Sequence, residues 1–195
     1  MNERELVRVS RRLSRHLRHA PGEIGLVLDR AGWVAVDDLL AALTAHGLPL
    51  SRTGLAEVVE RNDKRRFTFN ATRTHIRANQ GHSVPVDLQL PEVIPPATLY
   101  HGTIARYLPA IERDGLRPMR RHAVHLSADV GTALRVGGRR GEPVVLEVDA
   151  GGMAAAGHRF SRSDNGVWLT AWVPPRYVRK RPGSPATSST RSLRR

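Results

Sequence analysis

Apolar residues recur at helical spacing in the first sixty residues of the chain. A first helix is predicted over residues 4–19, with its apolar face formed by Leu6, Val9, Leu13 and Leu17. It ends at Ala20-Pro21-Gly22, because proline disfavours helical backbone in the residue before it. A second helix is predicted from Asp37 or Asp38 to Gly47, and a third begins at Ser51, with apolar positions at Leu39, Leu40, Leu43, Leu55, Val58 and Val59.

A segment with two-residue alternation follows the three helices. Residues 66–69 predict a strand, residues 70–73 a turn, and residues 75–77 a returning strand. Three short helices followed by a hairpin are typical of a winged helix. We therefore expect residues 1–84 to form a winged-helix lobe.

The second half of the chain has a different pattern. Residues 85–97 contain four prolines and predict a linker. Residues 98–178 predict an α+β lobe with a mainly antiparallel sheet, formed by strands near 98–100, 123–126, 144–148 and 166–169 and by a helix that ends at Asp114-Gly115. The ordered pattern ends at Val178, and residues 179–195 predict a basic, disordered tail.

Charge is the outlying feature of the composition. The chain has 31 Lys and Arg against 18 Asp and Glu, a net charge of +13, and its only lysines are Lys64 and Lys180. Arginine is favoured where phosphate is held through two parallel hydrogen bonds, although a GC-rich genome also enriches it. A polyanionic partner is favoured over an acidic or neutral one.

Other classes of protein are disfavoured by what the chain lacks. It has no cysteine, so disulfides and thiolate metal sites are excluded. The polar N-terminal segment does not resemble a secretory signal, and no apolar run reaches the roughly 18 residues that a membrane span needs. We expect a soluble, cytoplasmic protein that has no membrane partner and is monomeric.

Polar clusters lie at the ends of the predicted elements. Arg18 and His19 close the first helix, where a guanidinium and an imidazole suit one phosphate; the alternative is a solvated face, since arginines crowd this helix. Arg66 projects from its strand on the face opposite Phe67. A polar loop then follows the returning strand, with Gly81 allowing close backbone approach, and its candidate side chains are Asn79, Gln80, His82 and Ser83.

Two further clusters end strands in the second lobe. Tyr100-His101-Gly102-Thr103 and His125-Leu126-Ser127 each put a histidine near a hydroxyl, which suits the riboses and the amide of a nucleotide. Two surface histidines without a ligand are the alternative. Neither a GxGxxG nor a GxxxxGK[ST] motif is present, so a Rossmann site and a P-loop are unsupported.

Two histidine pairs have the spacing of metal ligands. His16 and His19, and also His122 and His125, are three residues apart. Neither pair has a third ligand at recognisable spacing. We therefore expect no metal.

Seven segments, in this order and spacing, resemble the RNA 2′-phosphotransferase family, to which the NAD-dependent tRNA 2′-phosphotransferases belong. They are LSRHLRHAP, the strand RRF, RANQGHS, LYHGT, VHLS, VGGRRG and NGVWLT, between residues 10 and 178. The resemblance implies a winged-helix lobe joined to a lobe of the ADP-ribosyltransferase type, with the active site between them. It also implies that residues 1–84 bind RNA and phosphate and that residues 98–178 bind NAD.

The resemblance also assigns roles to residues. The phosphate-handling tetrad falls on Arg18, His19, Arg66 and Arg121, the last placed over Arg120 by the Val-His-Leu that follows. The NAD side includes His101, Gly102, Thr103, His125 and Ser127, with Arg139 and Asn165 as further candidates. Two departures from the family pattern, Ala123 and the Thr-Ala-Trp172 segment, affect the fit of NAD rather than the tetrad.

The implied reaction has two steps. An RNA 2′-phosphate attacks the nicotinamide ribose of NAD⁺, and the ribose 2″-hydroxyl then attacks the phosphorus, which gives 2′-OH RNA and ADP-ribose 1″,2″-cyclic phosphate. One rival is an ADP-ribosyltransferase or NAD glycohydrolase with another acceptor, which typically needs a carboxylate near the nicotinamide ribose. The other rival is a non-catalytic winged-helix protein that binds nucleic acid.

Overall fold

The computed structural model describes residues 1–62, 64–139 and 141–182. It is a mixed α/β protein with three small antiparallel sheets of three strands each in the described chain. The chain divides into two compact units. Unit 1 comprises Met1–Pro91, Met119–His122 and Arg162–Gly166, and unit 2 comprises Glu92–Pro118, Ala123–Ser161 and the chain from Val167 onward.

Unit 1 is built from three helices and one sheet. The helices are α1 (Glu3–His16), α2 (Val36–Ala45) and α3 (Arg52–Glu60). Strand β1 (Val34–Ala35) precedes α2, and β2 (Phe67–Phe69) and β3 (His75–Ala78) follow α3. The sheet has the order β1-β3-β2. Thr68 of β2 lies opposite Arg77 of β3, so the hairpin predicted from the alternating pattern is present.

Local capping explains where the helices of unit 1 begin. Asn2 and Glu5 form a reciprocal capping box at α1, and the Ser51 hydroxyl accepts a hydrogen bond from the Gly54 N–H, as predicted for the third helix. The second helix begins earlier than predicted. Its N-cap is Ala35, and Asp37 and Asp38 lie in its first turn, where acidic side chains favour the helix dipole without capping it.

One apolar core holds unit 1 together. Its fully buried side chains come from all three helices and from the sheet, and include Leu13, Leu17, Leu39, Leu43, Leu55, Val58 and Ile76. The apolar face predicted for the first helix is buried in this core. Burial of this face fixes the end of α1, and with it the positions of the residues that follow Leu17.

Unit 2 contains most of the remaining six strands of the described chain, which form two sheets. Strand β4 (Thr98–Ile104) pairs with β6 (Pro143–Asp149), which pairs with β9 (Val178–Lys180); β5 (Val124–Leu126) pairs with β8 (Trp168–Thr170), and β7 (Ser161–Arg162) completes the second sheet. Its helices are α4 (Leu108–Asp114), α5 (Val130–Gly137) and α6 (Ala150–Ala155). Its core is formed mainly by Leu99, Leu126, Leu146, Val148, Met153 and Val173.

The sequence pattern missed some elements of unit 2. Helix α5 is capped by Asp129, whose carboxylate accepts from the Thr132 N–H. The glycines in its sequence weaken the helical pattern, so the helix was not predicted. Strand β9 continues to Lys180, beyond the expected end of the pattern at Val178, because an edge strand is held by backbone hydrogen bonds whatever its side chains. The predicted disordered tail lies outside the described residues from residue 183 onward.

The sequence predicts no membrane-spanning helix. No helix in the described part of the chain is both long and apolar enough to cross a bilayer.

Candidate functional site

The end of α1 and the loop after β3 are bound to each other in unit 1. The N–H groups of Ser83 and Val84 donate to the Arg18 carbonyl at 2.9 and 3.3 Å. The Ser83 hydroxyl lies 2.9 Å from His19 Nδ1. The structure therefore brings together two clusters that are about sixty residues apart in the sequence.

Two arginines of this site lie close to Gly81 of the loop. A Cβ placed on Gly81 would lie 3.7 Å from Arg18 Nη1 and 4.0 Å from Arg121 Cζ. The φ of Gly81 is +88°, which disfavours any other residue. The backbone conformation therefore favours glycine at this position, and both guanidinium groups lie beside it.

Arg18 carries the clearest electrostatic signature of the site. Its side chain is buried, and burial, followed by repulsion from Arg66 and Arg121, lowers its pKa to about 10. The guanidinium is still charged at neutral pH. Cations that repel one another in a desolvated place are stabilised by an anion that they share, so the cluster is suited to binding phosphate.

His19 experiences the same positive field. Burial, followed by the charges of Arg18 and Arg121, lowers its pKa below the ordinary histidine value. A bound anion would counteract the two arginines and favour the protonated ring. His19 can therefore donate to a phosphate oxygen or move a proton near it.

A small polar network holds Arg66, and the sequence pattern did not reveal it. Arg66 Nη1 donates to Asn62 Oδ1 at 3.2 Å and lies 3.5 Å from Ser10 Oγ, while Asn62 Nδ2 donates to Ser10 Oγ at 2.8 Å. Ser10 and Asn62 are both buried. The one hint of this network in the sequence is Ser10, a polar residue on the apolar face of α1. The Arg66 carbonyl in turn accepts from Arg18 Nη2 at 3.3 Å.

The side chains of the loop after β3 turn inward. Asn79 is buried and donates through Nδ2 to the Arg65 carbonyl at 2.6 Å, whereas Asn79 Oδ1 and Gln80 Oε1 have no partner among the described residues. His82 is 3% exposed, and neither of its ring nitrogens has a partner in the described chain. Burial, followed by the charges of Arg18, His122, His19 and Arg77, lowers the His82 pKa to about 4, so its ring is neutral at pH 7.

In unit 2 three of the residues expected on the NAD side lie together. His101 Nδ1 donates to the His125 carbonyl at 3.0 Å, and the neighbouring residue Tyr100 exchanges two 2.8 Å backbone hydrogen bonds with Ser127. The His101 ring is therefore held by strand β5.

The other residues expected there are placed differently. Thr103 is buried in β4, and Arg139 is exposed after α5. A Cβ on Gly102 would lie 1.8 Å from the Ala133 carbonyl oxygen, so direct packing of α5 on β4 requires glycine there whether or not a ligand binds. Asn165 belongs to unit 1, where its Nδ2 donates to the Lys64 carbonyl at 3.0 Å.

The two histidine pairs at metal-ligand spacing have no further ligands beside them in the described chain. Among residues 1–62, 64–139 and 141–182 no group of three or more histidine or acidic side chains is arranged to hold an ion.

The model of the RNA 2′-phosphotransferase, Tpt1/KptA family matches residues 4–172. The chain belongs to this family. Relatives named "Probable RNA 2′-phosphotransferase" include one from Streptomyces griseus, which is 59% identical over 91% of this chain and 98% of its own length. Another from Trichormus variabilis is 54% identical over 91% and 98%, and one from Agrobacterium fabrum is 58% identical over 87% and 91%.

Membership in the RNA 2′-phosphotransferase family confirms the resemblance seen in the seven motifs. The matched segment contains every candidate residue from Arg18 to Asn165. The family name identifies a transferase that acts on RNA.

Proposed function

We propose that this protein is an NAD-dependent RNA 2′-phosphotransferase, which removes an internal 2′-phosphate from RNA with NAD⁺ as co-substrate and without a metal. The RNA 2′-phosphate oxygen attacks C1″ of the nicotinamide ribose, and nicotinamide leaves. The ribose 2″-oxygen then attacks the phosphorus, its proton passes to the departing RNA 2′-oxygen, and ADP-ribose 1″,2″-cyclic phosphate is released.

The arrangement around Arg18 is the observation that carries the proposal. Arg18, Arg66 and Arg121 are close enough for the last two to lower the Arg18 pKa, and His19 lies in the same field. Arginines on a solvated surface can lie apart from one another at no cost. Burying one arginine among other positive charges costs free energy. That cost is offset when an anion binds.

The chemistry of the second step suits these side chains. Negative charge increases on the phosphoryl oxygens when the phosphorus is attacked, and arginines stabilise it through fixed, doubly hydrogen-bonded contacts without losing their own protons. Arg18, Arg66 and Arg121 would perform the electrostatic role that a metal ion has in many phosphoryl transferases. His19 is placed to hold the phosphate or to move the proton.

The NAD side of the proposal depends on unit 2. His101, held by the His125 carbonyl, and Ser127, fixed against Tyr100, are suited to hydrogen bonds with ribose hydroxyls. We propose the same role for Thr103 and His125, and a peripheral one for Arg139 and Asn165. The loop residues Asn79, Gln80, His82 and Ser83 would line the RNA side.

The architecture expected from the resemblance completes the proposal. The three helices and the β1-β3-β2 sheet of unit 1 support a winged-helix lobe, and the antiparallel sheets of unit 2 support a lobe of the ADP-ribosyltransferase type. A monomeric, cytoplasmic enzyme fits this proposal.

The test is incubation with an oligoribonucleotide that carries one internal 2′-phosphate, with and without NAD⁺, followed by mass spectrometry. We expect 2′-OH RNA, nicotinamide and ADP-ribose cyclic phosphate in equal amounts, with NAD⁺ and in the presence of EDTA. Phosphate release without NAD⁺, or loss of turnover on chelation that a divalent metal restores, would overturn the proposal. Transfer of ADP-ribose to other acceptors would support the rival transferase instead.

A further inference from the structure

The exposed face of α1 carries a row of arginines that leads toward the phosphate site. Arg4, Arg8, Arg11 and Arg15 follow one another at intervals of three or four residues, so they lie along one side of the helix. All four are exposed, and the opposite side is buried in the core of unit 1. The next arginine at this interval, Arg18, lies just beyond the end of α1, and its side chain is buried.

The first three of these arginines form no ion pair with any carboxylate of the described chain. We call Arg4, Arg8 and Arg11 the arginine row. Arg15 differs, since it is paired with Glu23.

The acidic side chains near the row are engaged elsewhere. Glu5 accepts from the Asn2 N–H in the capping box, and Glu3 lies 3.7 Å from Arg61. Two further carboxylates of unit 1, Asp37 and Glu60, are paired with the exposed Arg52 and Arg73. The row therefore places three charges without an ion pair in the described chain on one face of a single helix.

The spacing of the row suits a polynucleotide. At a rise of about 1.5 Å per residue, neighbouring members are separated by roughly 4.5–6 Å along the helix axis, and long arginine side chains can adjust this to the repeat of successive phosphates. Phosphate contacts of this kind fix the position of a strand without reading its sequence.

We propose that Arg4, Arg8 and Arg11 form a track for the backbone of single-stranded RNA on one flank of the 2′-phosphorylated nucleotide. This rests on the proposed function, because the nucleotide at Arg18 sets the position of the strand. Helix α1 runs in one direction from Arg18, so the track serves only one flank, either the 5′ or the 3′ side.

The test compares three 2′-phosphorylated substrates: a dinucleotide, the same dinucleotide extended by six nucleotides on the 5′ side, and one extended on the 3′ side. In the triple variant R4Q/R8Q/R11Q, turnover of the dinucleotide should be unchanged. The KM for one extended RNA should rise at least about tenfold at low salt, while that for the other stays within twofold. The control R30Q/R106Q/R135Q removes three exposed arginines elsewhere and should match the wild type.

Salt dependence gives a second measurement, by fluorescence anisotropy with the affected RNA. The plot of log binding constant against log salt should become less steep by about 2 in the triple variant and by about 0.7 in R8Q alone. The single variant keeps the test decisive if the triple variant folds poorly.

Equal effects on both flanks, no effect on either, or the same effect in the control would overturn the track. An inactive wild type would instead refute the proposed function. The salt slopes would then still decide whether the arginine row binds RNA.

Discussion

The Ser83 hydroxyl oxygen lies 2.9 Å from His19 Nδ1. The backbone N–H of Ser83 is itself bound to the carbonyl of the preceding residue, Arg18, so the hydroxyl is held in place. With Nδ1 engaged, Nε2 is the nitrogen of His19 that can face a phosphate. In the proposed reaction Ser83 acts as a positioning residue, because its hydroxyl sets the orientation of the His19 ring.

Replacing Ser83 by alanine should therefore slow turnover about fivefold to tenfold, the worth of one hydrogen bond. The melting temperature should change little, because the backbone bond to Arg18 stays. Ser83→Thr, which keeps the hydroxyl, is the control and should be near wild type. Steady-state kinetics across pH 5–9 decide the point: an unchanged rate and pH profile in Ser83→Ala would show that His19 is oriented by other contacts.

Sequence reasoning found both partners of this contact but not the contact. Arg18-His19 and the polar loop were each recognisable as polar residues at the end of an element. Their meeting depends on how β3 returns against the end of α1, which is a tertiary property with no local signature. Recognising the family added Arg121, whose segment joins unit 1 from a distant part of the chain.

His82 should make the protein sensitive to acid. Its pKa is lowered to about 4 in the folded state, below the ordinary value of about 6.5, so the unfolded chain binds the proton more readily. Its contribution to the free energy of unfolding is complete above pH 6.5 and is lost as the pH falls toward 4, at most roughly 3 kcal/mol. Denaturant titrations at pH 7, 5.5 and 4.5 should show this decline.

His82→Leu, an apolar residue of similar volume, should flatten that pH dependence. His75→Leu, a change at an exposed histidine of β3, is the matched control and should keep the wild-type decline. A decline as steep in His82→Leu as in the wild type would assign the acid sensitivity to other groups.

Gly102 should be intolerant of any side chain. A Cβ there would lie 1.8 Å from the Ala133 carbonyl oxygen and 2.8 Å from the Gly137 N, both backbone atoms of α5 that cannot move aside cheaply. Gly102→Ala should destabilise the protein by at least about 3 kcal/mol or prevent folding. Gly22→Ala is the control, since nothing lies within 4 Å of its Cβ position. Thermal unfolding measures both, and a stable Gly102→Ala would contradict this packing.

Gly102 and the Ser10–Asn62 pair illustrate what the sequence could not provide. In the sequence, a glycine beside a histidine at a strand end suggests that a ligand approaches the backbone there. The structure shows another reason for the glycine, which is the packing of α5 against β4. Ser10 and Asn62 are separated by two helices, so their shared contact with Arg66 exists only once the core of unit 1 forms. Periodicity predicts which face is buried, but not which buried polar groups meet.

The two residue groups should affect different steps of the proposed reaction. In the proposed reaction the arginines would contact the phosphoryl oxygens, on which charge increases when the phosphorus is attacked. Arg66→Ala should therefore slow the second step by roughly 10- to 100-fold with little change in NAD⁺ affinity. ADP-ribosylated RNA should then accumulate. Asn62→Ala, which removes a hydrogen-bond partner of Arg66, should do the same to a smaller extent.

His101→Ala should slow the first step instead, so little intermediate would form. Quench-flow time courses with radiolabelled RNA resolve the species, and accumulation in His101→Ala but not in Arg66→Ala would reverse this assignment of the two groups.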